Sequence, residues 1–355
     1  MGDVSLETGL ERFLRSRIPQ AQQVKVTGLR AHSEGFSQET FSFDAELSFG
    51  GRAERRSYVA KREPVAGLLE PYDLEPEFRV LHALSEDPLC SPPTLWFERD
   101  PAVLTRPFYV MERLPGDAPV PGSRPDGSPP FSDAERQALA PEVVDALARI
   151  HAIDWKARGL AFLGAPEPGP AAAERELGRW QERIRRSQLP AEPIVTEALL
   201  WLRGNLPSTP EITLVHGDFR LGNWLVESVD AAPRLSGVLD WELVHLGDPL
   251  EDVAWCVSPM WRARTPYAGA LLPESELLDA YARASGRDVD AQRLKFYAVL
   301  SVVKMIAIEL TGIHAFLDGR TGDLRMAIFD HQIPFLEALL AVLRGWLPEA
   351  VLGGS

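Results

Sequence analysis

LVHGDFRLGNWLV, residues 214–226, decides how this chain is read. It sets His216, Asp218, Arg220 and Asn223 between two apolar runs that read as short strands. A loop that only reverses the chain needs residues with suitable backbone angles, not this set of side chains. Downstream, WLVE and RLSGVLDWE read as a hairpin whose second strand ends at Asp240 and returns it beside Asn223 and Asp218. One amide and two carboxylates converging at strand ends form a hard-oxygen site suited to Mg2+, which takes few protein oxygens and leaves room for phosphate. Asp218 is then left to accept a proton from a substrate hydroxyl. Phosphoryl transfer needs this division of labour, because positioning and charge neutralisation supply most of its catalysis.

The 355 residues are too many for one typical core, so two lobes or two domains are expected. A formal net charge of −14 argues against nucleic acid or an anionic membrane surface as partner. Cys90 and Cys256 stand far apart without metal-type spacing, which suits a reducing cytoplasm and not a disulfide framework. The N-terminus, MGDVSLETGLERFLR, is acidic and amphipathic, unlike a signal peptide. Leu6 stands where N-myristoylation requires Ser or Thr. The most apolar stretch, Phe296 to Leu310, is interrupted by Lys304 and Glu309 and reads as a buried helix, not a membrane span.

Around this centre the chain divides in character. Leu6, Leu10, Phe13 and Leu14 predict a short amphipathic helix. Strands follow at Val24–Val26, at TFSFDAELSF with its strict alternation, and around Arg56–Arg62; a helix over about 74–84 and strands near Trp96 and in FYVMERL complete a small antiparallel sheet. Residues 116–131 are rich in Pro and Gly and read as a loop. Ser132 and Glu135 form a capping-box pattern for a helix to about His151, and helical periodicity marks 174–188, 194–204, 274–285, 290–316 and 323–346. The expected organisation is an N-terminal β-rich lobe over 1–110, a connector at 111–115 and a larger helical C-terminal lobe over 116–355.

HGDFRLGN resembles the protein-kinase catalytic loop H-R-D-x-K-x-x-N, and DWE stands where kinases carry D-F-G. With the GDP that follows, the set resembles the aminoglycoside phosphotransferase family, and within it the kinase-like domain linked to acyl-CoA dehydrogenases. The strong match covers residues 213–257; the N-terminal lobe matches more loosely. The resemblance implies an α+β, protein-kinase-like two-lobed fold. It implies an ATP- and Mg2+-dependent small-molecule kinase acting on a hydroxyl, with GTP as the alternative nucleotide. Asp218 then resembles the base that orients and deprotonates the acceptor, Asn223 and Asp240 the Mg2+ ligands, and Arg220 a second cation for the γ-phosphate. His216 orders the loop.

In the N-terminal lobe, Lys61 in SYVAKRE sits as the lysine of the kinase V-A-I-K strand does, which implies contact with the α- and β-phosphates. Its carboxylate partner is expected to be Glu77, with Glu70 and Glu75 as alternatives. SEGFSQET carries one glycine where the kinase loop has three, so Ser33 and Ser37 with the backbone N–H groups are the expected phosphate cradle, or the segment is an ordinary hairpin loop. Met111 to Leu114 would form the hinge, with the Glu112 carbonyl and Leu114 amide facing adenine.

GDPLEDVAW also reads as a helix start: Asp248 as N-cap, Pro249 at the first helical position, Glu251 closing a capping box. Asp252 is expected to hold the backbone of the catalytic loop. His151 and Asp154 are expected to cap structure. WCVSPMWRARTPY places Trp255, Met260 and Trp261 beside Arg262 and Arg264. Lining an acceptor site, it suits an apolar or anionic molecule such as a hydroxylated acyl thioester better than a polycation; the other reading is core. Two further functions compete. One is a metal-dependent hydrolase using His216, Asp218, Asp240 and His245; the other is a non-catalytic nucleotide-binding module.

Overall fold

The computed structural model describes residues 5–32, 38–87, 91–119, 128–187, 192–230 and 232–353. Ser33, Ser37 and Cys90 lie outside them. The chain forms two compact units, Met1–Leu114 and Pro115–Ser355.

The first unit is built on a five-stranded antiparallel sheet of order β1-β2-β3-β5-β4: β1 Gln23–His32, β2 Glu39–Phe49, β3 Arg52–Arg62, β4 Thr94–Glu98 and β5 Phe108–Glu112. Helix α1, Leu6–Arg17, starts at Ser5, whose hydroxyl accepts from the Thr8 N–H, and buries Leu10, Phe13 and Leu14. These pack with Phe43, Ala45, Leu47, Tyr58, Ala60, Phe108 and Val110, so α1 takes one face of the sheet. The interleaved residues face the other way, where Tyr109 meets Phe78 of α2, Glu75–Ala83, at a ring separation of 6.0 Å. β2 is more buried than simple alternation predicts. Its polar Asp44 is also covered, taking Arg55 at 2.6 Å and the Ser57 hydroxyl at 2.5 Å. A four-residue helix, α3 Pro101–Leu104, leads into β5.

The second unit is helical apart from two short ribbons. The capping box of Ser132 and Glu135 opens α4, Asp133–Ala152. Then come α5 Ala171–Arg186, α6 Pro193–Gly204, β6 Thr213–Val215, β7 Trp224–Val229, β8 Ala232–Val238, β9 His245–Gly247, α7 Leu250–Val257, α8 Glu274–Ser285 and α9 Ala291–Leu317. α9 is long and apolar enough to cross a membrane, but most of it is buried inside this unit, against α5, α6, α7, α10 and α11. The single helix expected over 323–346 is broken: α10 Leu324–Ile328 and α11 Ile333–Leu343 flank a one-turn 3-10 segment at Phe329–His331. Pro334 explains the break, since it lacks the N–H that a continuous helix would need there and is tolerated only in a first turn.

Candidate active site

The loop between β6 and β7 is shaped by one glycine and one carboxylate. Gly217 has φ +83°, and a Cβ there would lie 2.5 Å from the Leu243 carbonyl oxygen, so no side chain fits. Phe219 and Leu221 turn inward and are fully buried, pinning the loop by its apolar residues and leaving the polar ones grouped. From α7, Asp252 accepts the His216 N–H at 2.7 Å and the Gly217 N–H at 2.8 Å, while His151 Nε2 meets it at 3.1 Å and His151 Nδ1 meets the Tyr281 hydroxyl at 2.7 Å. Asp252 thus holds the loop backbone, as expected. Burial pushes its carboxyl up, but the His151 hydrogen bond, the two imidazoles and the His216 N–H outweigh that and leave it below the ordinary value. Asp154 caps the turn after α4, accepting from the Lys156 and Ala157 N–H groups.

His216 is fully buried. Its Nδ1 accepts the Asp218 N–H at 3.0 Å, so Nε2 carries the proton and donates to the Leu239 carbonyl at 2.9 Å. Burial pushes its pKa down, in keeping with a neutral ring. With both nitrogens spent on backbone, His216 cannot serve as a metal ligand, and the hydrolase reading loses the first member of its set.

Asp218 is 8% exposed and held by three donors. Oδ1 accepts from Trp255 Nε1 at 2.7 Å and from Arg220 Nε at 2.9 Å; Oδ2 accepts from Asn223 Nδ2 at 2.6 Å. The same Asn223 nitrogen donates to the Asp218 carbonyl at 2.8 Å. Since the amide nitrogen turns back toward Asp218, the amide oxygen turns away, and among the described residues it accepts no hydrogen bond. A free, outward amide oxygen is what a hard cation takes. The hairpin forms with Trp224 opposite Val238, and the Leu239 N–H donates to the Asn223 carbonyl at 2.7 Å, which sets Leu239 opposite Asn223 and Asp240 one residue further along. Asp240 is half-buried in the left-handed region at φ +69°, a strained placement for a residue with a Cβ. The structure therefore brings Asp218, Asn223 and Asp240 to one end of the hairpin, and the donor chemistry fits Mg2+.

Arg220 donates Nη1 to the Leu221 carbonyl at 3.0 Å and lies over the Trp261 ring at 4.5 Å, while Trp255 and Trp261 have centroids 5.2 Å apart. Its Nη2 makes no hydrogen bond among the described residues. Trp255 is 1% exposed and is core, but core with a polar handle on Asp218.

The capping box expected over 248–251 does not form. Asp248 Oδ1 does accept the Leu250 N–H at 2.9 Å, and Pro249 precedes the helix instead of opening it. The Glu251 carboxylate turns inward, to His245 Nε2 at 3.1 Å and Lys304 Nζ at 3.3 Å. Burial pushes Glu251 up, but His245 and Lys304 overcome this and bring its pKa down to about 2. Burial alone would lower His245; the Glu176 and Glu251 carboxylates raise it above its ordinary value. Glu176, His245 and Glu251 lie close enough to share a metal. Lys304 on Glu251 and Arg179 Nη1, 3.4 Å from Glu176 Oε2, already balance these charges, so the cluster is an ion-pair network.

In the first unit, Lys61 stands opposite Tyr109 in the β3–β5 ladder, which puts it on the α2 face. On α2, Glu77 shares the buried stripe with Val80 and Leu81, three and four residues on. The two meet: Lys61 Nζ donates to Glu77 Oε1 at 3.1 Å, and Gln38 Nε2 donates to Glu77 Oε2 at 2.8 Å. Glu70 instead accepts the Gly67 N–H at 3.0 Å, and Glu75 pairs with Arg99. Met111 is buried in β5, Glu112 is exposed with its N–H donating to the Pro93 carbonyl at 2.9 Å, and Leu114 closes the unit.

Sequence reasoning missed the roles of Trp255 and Lys304. One signal existed for Trp255: it follows Asp252 by three residues, so both share a helix face and address the same loop.

The model of the phosphotransferase enzyme family matches residues 28–297. The chain is 30% identical over 322 residues to acyl-CoA dehydrogenase family member 11 of Gallus gallus, covering 86% of this chain and 39% of that protein. It thus spans about two fifths of that curated relative. A Ralstonia eutropha protein assigned to the aminoglycoside phosphotransferases has a TM-score of 0.69 at 24% identity, covering 94% of this chain and 97% of the other. The GDP complex of aminoglycoside 2'-phosphotransferase-IIIa has a TM-score of 0.58 at 15% identity, covering 94% and 99%. At these identities the solved structures establish the kinase-like phosphotransferase fold.

Proposed function

The chain belongs to the phosphotransferase enzyme family, and from that premise we propose that it is an ATP- and Mg2+-dependent O-phosphotransferase acting on a hydroxyl of a small apolar or anionic molecule. The observation that carries this reading is the Asp218 carboxylate oriented by three donors, with the Asn223 amide oxygen turned away from it, at the end of the hairpin that also carries Asp240. Asn223 and Asp240 would hold Mg2+, whose chemistry here is to neutralise phosphate charge.

Asp218 would take the proton of the acceptor hydroxyl as that hydroxyl's oxygen bonds to the γ-phosphorus, the bond from the γ-phosphorus to the β–γ bridging oxygen breaks, and ADP leaves. With Trp255, Arg220 and Asn223 fixing both oxygens, the carboxylate spends no reorganisation on finding the hydroxyl. Arg220 keeps Nη2 for an anionic oxygen, where a charge-assisted hydrogen bond is strong. Lys61, steadied by Glu77, supplies the cation for the α- and β-phosphates, and Gln38 on the second Glu77 oxygen steadies the glutamate. Nucleotide binding is further supported by the GDP-bound neighbour.

The acceptor class is read from what stands beside the base, the half-buried Trp261 ring and the Arg220 guanidinium over it at 4.5 Å. Flat apolar surface with a cation suits an alcohol that is apolar or carries negative charge. Likeness to an acyl-CoA dehydrogenase family member makes hydroxylated acyl thioesters the first compounds to try. A panel of these thioesters, hydrophobic alcohols and kanamycin, assayed for Mg2+-dependent ADP release, tests the reading. Stimulation by a thioester or apolar alcohol is the expected result. Efficient kanamycin turnover would overturn the acceptor class, and phosphoester hydrolysis without ATP would overturn phosphotransfer itself.

A further inference from the structure

Lys304 interrupts an apolar helix and has no part in the proposed phosphoryl transfer. It is 2% exposed, in the middle of α9. Its ammonium is enclosed on every side by groups of the same unit. Nζ donates to the Gly217 carbonyl, pairs with Glu251 Oε1 at 3.3 Å, and lies over the rings of Trp255 at 4.5 Å and Trp180 at 5.4 Å.

Two of these contacts lead to the base. Gly217 is the residue before Asp218, so holding its carbonyl fixes the peptide plane that joins them. Trp255 donates its indole N–H to Asp218 Oδ1 at 2.7 Å, so a cation against its face fixes the plane along which that donor points. The remaining contacts hold the cation. Glu251 is itself braced by His245 at 3.1 Å, which leaves the ammonium little freedom to move. A buried pair of this kind is weak as a source of stability, because desolvating both charges offsets their attraction. Its geometric value is greater.

We propose that Lys304 is a positioning residue for Asp218, acting through the Gly217 carbonyl and the Trp255 indole. This rests on Asp218 being the base of the proposed phosphotransfer, but the contacts can be read without turnover. The full chain is labelled with 15N-tryptophan, and the indole N–H of Trp255 is identified by its loss in Trp255→Phe. Asp218→Asn marks where that resonance goes when its acceptor changes. Lys304→Met is expected to move it toward the Asp218→Asn position. Acceptor-stimulated ADP release should fall at least tenfold while KM for Mg·ATP stays within twofold. A Trp255 resonance that does not move in Lys304→Met overturns the inference. Where that variant does not fold, Lys304→Met with Glu251→Gln removes cation and counter-charge together and is read the same way. A double variant with wild-type resonance and rate also overturns it. Absence of ADP release in the unaltered chain would reject the proposed function and leave the resonance test readable.

Discussion

Replacing Asp252 with Asn removes one charge and changes one oxygen to an NH2 group at nearly constant volume. Each oxygen now accepts a loop N–H, from Gly217 at 2.8 Å and from His216 at 2.7 Å. Whichever way the amide is turned, one loop N–H faces another N–H. The lost bond to a charged acceptor is worth about 1.5–3 kcal/mol, and the buried, unpaired donor costs roughly 1–3 kcal/mol more. We expect destabilisation of about 3 kcal/mol or more, a large part of the ~5–15 kcal/mol typical of a folded domain. Urea unfolding followed by tryptophan fluorescence reads chiefly the second unit, which carries eight of the nine tryptophans. Asp252 has a lowered pKa, so its contribution is present above the ordinary aspartate value and fades as pH falls through the lowered one. The difference between the two proteins should therefore narrow below about pH 4. A loss under about 1 kcal/mol at pH 7 would refute the claim that Asp252 carries the loop backbone.

Other outcomes follow from the same contacts. Lys61→Met should weaken nucleotide binding at least tenfold by calorimetry and destabilise the first unit, because Glu77 is left buried. Adding Glu77→Gln should recover stability without recovering affinity, and recovery of both would show that the lysine is structural. Glu309 is 2% exposed, makes no hydrogen bond among the described residues, and burial pushes its carboxyl up to about 8. Below the ordinary glutamate value its neutral form carries no charge to desolvate, and stability is lost as pH rises toward 8, by roughly 4–5 kcal/mol. Glu309→Gln should thus melt higher than the parent at pH 8 and much like it at pH 4; a difference that does not grow with pH would contradict this.

What could be read ahead of the structure was local. The loop between β6 and β7, its hairpin and the amphipathic α1 follow from spacing and periodicity. Glu77 came from the family resemblance, with Glu70 and Glu75 left open; the structure shows that its carboxylate sits on the apolar stripe of α2 and meets Lys61. Where long-range contacts decide, local rules misled. Glu251 satisfies a capping-box pattern, yet its carboxylate finds stronger partners in His245 and Lys304, which are near only after β9 and α9 have packed. Lys304 read only as an interruption of an apolar helix, because the groups that surround it come from residues 180, 217, 251 and 255. Pro334 did carry a warning that the last helix would break, and periodicity alone concealed it.

The proposed phosphotransfer requires Asp218 to act on the acceptor and not on the nucleotide. Single-turnover transfer from γ-labelled Mg·ATP to the best alcohol of the panel, measured beside nucleotide affinity in the parent and Asp218→Asn, tests this most directly. We predict affinity within about twofold and transfer slowed about 100-fold or more, the range of a lost general base. Undiminished transfer in Asp218→Asn, or loss of nucleotide binding along with it, would contradict the assignment.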